Sequence, residues 1–284
     1  MTNVSATPKR SSSRLPGMLF EACMLVLAAL VAVPFYYLFA TTFKSPAEAS
    51  VHPLRFPTGL NFDQYAEAWN AMNYLNVLKN NLVITVVSVL LVVLVSAMAA
   101  YPLARRRHAV NRFIFVLILS GIMVPYQMAI IPLFKLIKSL HLIDNQIGVI
   151  LIYTFVFMPL ATFIFNGFIR TIPVELEEAA KIDGCGTWRT YWQITFPLLR
   201  PATATIVILT SLNIWNDFIF PLLFLQSRDK GTILLEVYRN VGQFSTDWTK
   251  MFPMMVLGIL PMLLFYLVMQ KHIIKGIASG SIKG

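Results

Sequence analysis

What this sequence has little of narrows it first. Among its 284 residues are two cysteines, Cys23 and Cys185, too few and too far apart to frame a disulfide-stapled fold. Its 4 histidines are scattered, with no pair at metal-ligand spacing, so neither a metal nor any other cofactor is expected. Charged residues of both signs make up 13% of the chain, against roughly 25% in soluble domains. No paired carboxylates and no Ser/His/Asp grouping fall within an apolar stretch, which puts a membrane-embedded enzyme last among the candidate classes. A phosphate-cradling loop of the form G-x-x-x-x-G-K-[ST] is absent as well, so the chain lacks the usual means of binding and splitting ATP. No catalytic residue is assigned.

Apolar side chains fill the space the charges leave: 57% of residues are hydrophobic and the mean hydropathy is +0.68. Six runs reach the ~20 residues that cross a bilayer as a helix, with cores near Ala22–Ala40, Leu82–Leu103, Phe113–Phe134, Ile147–Ile169, Ala202–Leu225 and Met251–Met269. The runs are continuous rather than alternating, so helices that satisfy their own backbone are expected, not barrel strands. The expected fold is therefore an all-α integral membrane protein with six transmembrane helices.

Lys and Arg set its orientation. The run RRRHAVNR from Arg105 to Arg112 pins one connection inside, and with it both termini and the long stretch after Ile169 face the cytoplasm. The net charge of +10 follows from this bias and scarce acids, and needs no nucleic acid. The apolar run after the polar residues 1–17 is too long for a signal-peptide core and is read as a retained first span. Residues 18–74 then hold that span and an outer loop, 75–271 a five-helix core with a cytoplasmic loop at 171–200, and 272–284 a cytoplasmic tail.

Two connections carry more than a connector needs. In the outer one, Phe62, Tyr65, Trp69 and Met72 recur at helical spacing behind Asn61, a suitable cap. This predicts an amphipathic helix lying on the bilayer surface, or one that also receives a soluble partner. The inner one reads EEAAKIDGCGTWRTYWQITFPLLRP from Glu177 to Pro201. Pro173 suits a first helical turn, and Glu175, Glu177 and Glu178 suit the positive end of a helix dipole. Glu177 and Lys181 stand as an i,i+4 pair, and Leu176, Ala179 and Ala180 form a narrow apolar seam. Gly184 and Gly186 end that helix, and a second short helix carries Trp188, Tyr191 and Trp192 on one side until Pro197 and Pro201 stop it. Such a bent pair suits a groove on a partner; equally, its aromatics suit the head-group zone.

The spaced set Glu178-Ala179-Ala180, Asp183-Gly184, Ile194 and Pro197 resembles the EAA loop of bacterial ABC-importer permeases. Cys185 stands where alanine is usual, and Phe196 replaces the leucine before the proline. LNIWNDFIFPLLFL from Leu212 to Leu225, TDWTKM at Thr246–Met251 and the terminal GSIKG extend the resemblance over the whole chain, to the smaller, maltose-type permease subunits of binding-protein-dependent sugar importers. That resemblance implies a coupling helix that docks into a cytoplasmic ATPase through Glu178, Ala179, Ala180, Asp183 and Gly184. It also implies a second permease as heterodimer partner, two ATPase subunits inside, a solute-binding protein outside and a bacterial cell membrane around it. Residues 276–284 reach the ATPases in such systems, or are simply a frayed end.

An expected pathway lies in the fifth run. Asn213, Asn216, Asp217 and Phe220 fall at i, i+3, i+4 and i+7, giving a polar stripe topped by a ring before Pro221 loosens the helix. With Tyr126 and Gln127 after Pro125, this lining of amides and rings suits a hydroxyl-rich solute; alternatively the polar groups tie helices together. The cargo expected from the resemblance is a sugar or oligosaccharide, with a polyol or glycerol phosphate as the alternative. An ion-coupled carrier, the rival class, needs a chain of intramembrane acids; only Asp217 lies deep, Glu21 being near a span edge.

Overall fold

The computed structural model describes residues 14–106, 108–241 and 247–281, with side chains from Gly17 to Gln270. The expectations for residues 1–13, Thr246 and 282–284 lie outside the described residues. Among those described, the structure is all helix, turn and loop. Helix α1 spans Arg14–Thr41 and the short α2 Pro46–Val51; α3 covers Asp63–Ala71 and α4 Tyr74–Arg105. Then come α5 (Ala109–Met123), α6 (Ile130–Ser139) and α7 (Gln146–Thr171). The inner connection holds α8 (Glu175–Ile182), α9 (Thr187–Thr190) and α10 (Phe196–Leu198), and α11 (Arg200–Trp215), α12 (Ile219–Phe224), α13 (Ile233–Asn240) and α14 (Trp248–Ser281) complete the chain.

Four helices, α1, α4, α7 and the first 23 residues of α14, are each long and apolar enough to cross a membrane. They contain the expected cores at Ala22–Ala40, Leu82–Leu103, Ile147–Ile169 and Met251–Met269. The other two expected spans are not continuous, and the count reaches 6 only if each of two bent pairs is one span. The run Phe113–Phe134 breaks at Val124–Pro125, between α5 and a 3₁₀ turn leading into α6, with a bend of 92°. Proline forces the preceding residue into extended backbone, which Val124 adopts at φ −92°, ψ 114°. The second bent pair is Thr187–Leu198 with Arg200–Trp215, bent by 71°, so it holds only the first part of the expected run Ala202–Leu225, which is interrupted further on. Its helix α11 stops at Trp215, and the chain re-enters a helix only at Ile219. Pro221 clashes with the carbonyl four residues back, that of Asp217, so the proline acts upstream of itself.

α4 and α7 make the central pair. Along α4, Ser88, Val92, Ser96, Ala97 and Ala100 are buried, and such small side chains let two membrane helices approach closely. Phe165, Ile169, Phe220 and Phe224 from α7 and α12 join this core. A second apolar cluster gathers Ala68, Met72, Tyr74, Trp215, Ile233 and Leu257, where α3, α4, α11, α13 and α14 meet. The amphipathic helix expected on the bilayer surface is thus α3, and its apolar face is spent on protein: Ala68 and Met72 are buried against the bundle, while Phe62 and Trp69 stay exposed. The expected cap Asn61 stands one position too early: Phe62 is the N-cap, without a side-chain bond, and the Asn61 side-chain oxygen accepts from the Asp63 N–H at 2.8 Å in a local turn. Among its described side chains, from Gly17 on, α1 has none buried before Ala40, so its apolar surface belongs against lipid or another membrane helix. At the other end, α14 continues through Ser281, so residues 276–281 are helical rather than frayed.

Pro261 in α14 removes the N–H that would bond the Leu257 carbonyl. The Tyr74 hydroxyl supplies the lost donor at 2.8 Å. Tyr74→Phe is expected to lower stability by about 1–3 kcal/mol, the cost of a buried carbonyl left without a partner. Adding Pro261→Ala should recover most of the loss by restoring the helical N–H; thermal unfolding of the detergent-purified chain reads both.

Candidate functional site

The connection after α7 is an elbow. Three acids in the first turn of α8, Glu175, Glu177 and Glu178, face the positive end of the helix dipole. Gly184, at φ +80°, closes the helix: its N–H donates to the Lys181 carbonyl (3.0 Å) while the Cys185 N–H reaches back to Ala180 (2.9 Å). Gly186 does not share that task; it stands at the start of α9. The expected second helix also changes character, passing through a π turn at Tyr191–Thr195 before α10 and a 71° bend into α11. This wide turn precedes Pro197, whose nitrogen has no hydrogen to continue an α ladder.

Three sequence expectations for the elbow are corrected. Glu177 does not pair with Lys181. It is buried, and one carboxylate oxygen accepts from Arg105 (Nη2 2.8 Å, Nε 2.9 Å) and from the Thr195 hydroxyl (3.1 Å), the other from the Tyr101 hydroxyl (2.9 Å). Arg105 also donates to the Ile172 carbonyl at 3.0 Å. A buried carboxylate is stable only with its lone pairs engaged, and here they are, by groups from α4 and the π turn. The aromatics do not share one side either: Tyr191 is buried against Tyr101, with ring centroids 5.1 Å apart, whereas Trp188 and Trp192 are exposed. Nor is the apolar seam continuous, since Ala180 turns inward while Leu176 and Ala179 face out.

What remains outside is a compact apex of Glu178, Ala179, Asp183 and Gly184, with Ile182 at its tip. Ile182 is 87% exposed and Trp188 66%, unusual for large apolar groups on a polar loop. Ile194 and Pro197 are half-buried and shape the return to α11. Ile182 was not singled out from sequence; its only signal is an isoleucine between Lys181 and Asp183 in an otherwise charged turn.

The second location is a cavity of about 500 Å³ in the bundle. Asn213, Asn216, Asp217 and Phe220 all line it, together with Tyr126. They do so across the break between α11 and α12, not as a stripe on one continuous helix. Gln127 is exposed and outside its walls. Tyr153 and Phe157 from α7 also line it, beside the apolar Val156 and Leu212, and no sequence signal marks the two rings because their helix is apolar around them. Asp217 accepts from the Tyr153 hydroxyl (2.8 Å) and from the backbone N–H groups of Phe220 (3.0 Å) and Ile219 (3.3 Å), so it joins α7 to the start of α12. The two amides bond their own helix instead: Asn213 donates to Leu209 and Asn216 to Leu212, each at 2.8 Å. The two carboxamides therefore face an open space rather than fasten neighbouring helices, a task that falls to the Tyr153–Asp217 bond.

Far along the chain, Asp144 holds a connection together. Its carboxylate accepts from the Gln226 N–H (3.0 Å), the Ser227 N–H (2.9 Å) and hydroxyl (2.5 Å), and the Lys230 ammonium (2.9 Å). Burial works to raise its pKa, but the Ser227, Lys230 and Gln226 bonds outweigh this and hold the carboxyl well below the ordinary range. A lowered pKa means the contact stabilises fully above the ordinary carboxylate value, near about 4, and weakens only as the pH falls through the folded one. Asp144→Asn should therefore speed amide exchange at residues 226–230, with the wild-type protection unchanged between about pH 5 and 8.

The family described as binding-protein-dependent transport system inner membrane component matches residues 92–278. The melibiose/raffinose/stachyose import permease protein MelC of Bacillus subtilis (strain 168) is 36% identical over 264 residues, covering 91% of this chain and 95% of that one. The diacetylchitobiose uptake system permease protein NgcG of Streptomyces coelicolor is 31% identical over 275 residues, 96% of this chain and 91% of the relative. A crystal structure of a bacterial ABC transporter involved in the import of the acidic polysaccharide alginate contains a chain of the same fold, with a TM-score of 0.83, 21% identity and coverage of 94% of this chain and 99% of that one. The match over residues 92–278 and the relatives at 36% and 31% identity show that this chain belongs to the binding-protein-dependent transport system inner membrane components.

Proposed function

We propose that this chain is one of two permease subunits of an ATP-driven importer for a sugar or oligosaccharide, lying in a bacterial cell membrane with six spans and both termini in the cytoplasm. The observation that carries the reading is the elbow: a rigidly based α8 whose apex exposes Ile182 and Ala179 beside Glu178 and Asp183. Such a helix suits insertion into a groove on a soluble partner, with small and apolar groups for close approach and acids for basic groups in the partner. The partner is a cytoplasmic ATPase pair, since the chain has no nucleotide-cradling loop. A second permease completes the pore against the exposed side of this one, and an external binding protein delivers the solute. In this reading residues 75–271 form the transport core, residues 18–74 the first span with its outer segment, and 272–284 the cytoplasmic tail.

Sugar as cargo is supported by the sugars named for the relatives MelC and NgcG and by the chemistry of the cavity. Tyr126, Tyr153 and Phe157 offer faces for stacking on a sugar ring, and the Asn213 and Asn216 amides offer polar groups at its edges. Uptake into inverted-free, right-side-out vesicles, with the neighbouring permease, ATPase and binding-protein genes co-expressed, tests the reading. Transport of a labelled oligosaccharide should require ATP and the ATPase and should survive a protonophore; collapse with the protonophore and indifference to ATP would instead identify an ion-coupled carrier.

A further inference from the structure

A larger cavity than the one on the pathway lies at the end of the bundle that bears the elbow. Its volume is about 1030 Å³, and it opens where α4 ends, α5 begins and α7 ends. Arg106, Arg112 and Arg170 line it, over a floor that includes Leu103, Phe115 and Val116. Among the described residues, none of these three arginines has a carboxylate within 4.0 Å, although four other ion pairs are present. Arg105, the remaining guanidinium in the wall, is committed to Glu177. Unpaired positive charge is thus concentrated on one side of a partly apolar hollow.

The neighbouring surface continues in kind. Along α5, Phe113, Val116 and Leu117 are exposed on one face, forming an apolar track that leads away from the arginines. Charge at the mouth and an apolar track beneath it match a molecule with an anionic head and hydrocarbon tails. The depth agrees, because the ends of three membrane helices meet at head-group level. A free anion would use the arginines but leave the track uncovered. Guanidinium groups suit a phosphodiester through paired N–H donors, better than they suit a zwitterionic head whose own ammonium opposes them.

We propose that the cavity between the ends of α4, α5 and α7 is a binding site for an anionic phospholipid, its phosphodiester held by Arg106, Arg112 and Arg170 and its acyl chains lying along α5. The bound lipid sits beside Arg105, which clamps Glu177 at the base of the elbow, so its head group borders the segment that carries α8.

Native mass spectrometry of the purified full-length chain, equilibrated with phosphatidylglycerol or phosphatidylcholine, provides the test. The wild type should retain phosphatidylglycerol in preference to phosphatidylcholine. The triple variant Arg106→Gln, Arg112→Gln, Arg170→Gln should lose that preference, at about fivefold per arginine and on the order of a hundredfold in all. Replacing the same three residues by Lys should restore most of it, which separates loss of charge from loss of folding. A control variant at distant basic positions, Lys135→Gln with Lys138→Gln, should keep it. Inorganic phosphate at millimolar concentration should not displace the lipid. Equal retention of both lipids by the wild type overturns the proposal, as does a preference that survives the Gln variant or one that the Lys variant fails to restore. Displacement by inorganic phosphate overturns it in favour of a free-anion site, and loss of the preference once ATPase subunits are bound overturns it in favour of a protein contact. None of these readouts involves transport, so failure here leaves the permease reading standing.

Discussion

Glu177→Ala should destabilise the chain by about 3–5 kcal/mol, the range for removing one partner of a buried ion pair. The mechanism is specific. Arg105 would keep its place among Ile172, Tyr101 and Thr195 but lose the only carboxylate within reach among the described residues, leaving a guanidinium held away from water. Because an apolar pair can replace a buried ion pair at little cost, Arg105→Met combined with Glu177→Leu should lose much less than Glu177→Ala alone. Thermal unfolding of the purified variants measures both. A single variant within ~0.5 kcal/mol of wild type would mean that Glu177 is hydrated in solution and the clamp is absent.

The second large effect is on function without stability. Ile182→Asp alters a side chain that is 87% exposed, so the melting temperature should barely change. If the apex inserts into an ATPase groove, the substitution exchanges a buried isoleucine for a carboxylate in the centre of that contact. A loss of about 3 kcal/mol is expected, or on the order of a hundredfold in association. Co-purification of the ATPase subunits and ATP-driven uptake should fall together, and deletion of Glu178–Gly184 should abolish both. An Ile182→Asp chain that still carries its ATPase and transports normally would remove the apex from the contact.

How much of this could be read beforehand depends on the range over which each signal acts. Membrane helices announce themselves within one run of residues, and four expected spans lie inside observed helices. The end of α8 was equally local: three acids at its start and Gly184 at its close dictate both boundaries. Breaks were harder. Hydrophobicity runs unbroken across Val124–Pro125, whereas backbone geometry does not, because proline disturbs residues before it; at Asn216–Phe218 the polar residues read as a stripe on a continuing helix, not as a break. Long-range pairing was out of reach. Nothing near Glu177 points to Arg105, 72 positions earlier, while Lys181 offered an obvious and wrong partner four positions on. The cavity shows both sides of this: Asn213, Asn216, Asp217, Phe220 and Tyr126 were legible as polar or aromatic oddities, but Tyr153 and Phe157 were not, since only folding sets α7 opposite them.

The Glu177 clamp makes the elbow and the end of α4 a single casting, like a crank welded to its shaft. Along that shaft α4 is packed face to face with α7, and α7 carries Tyr153, whose hydroxyl grips Asp217 at the floor of the cavity. In the proposed importer, a displacement imposed at the apex would pass through these contacts to the chamber, so that travel at one end would appear as travel at the other.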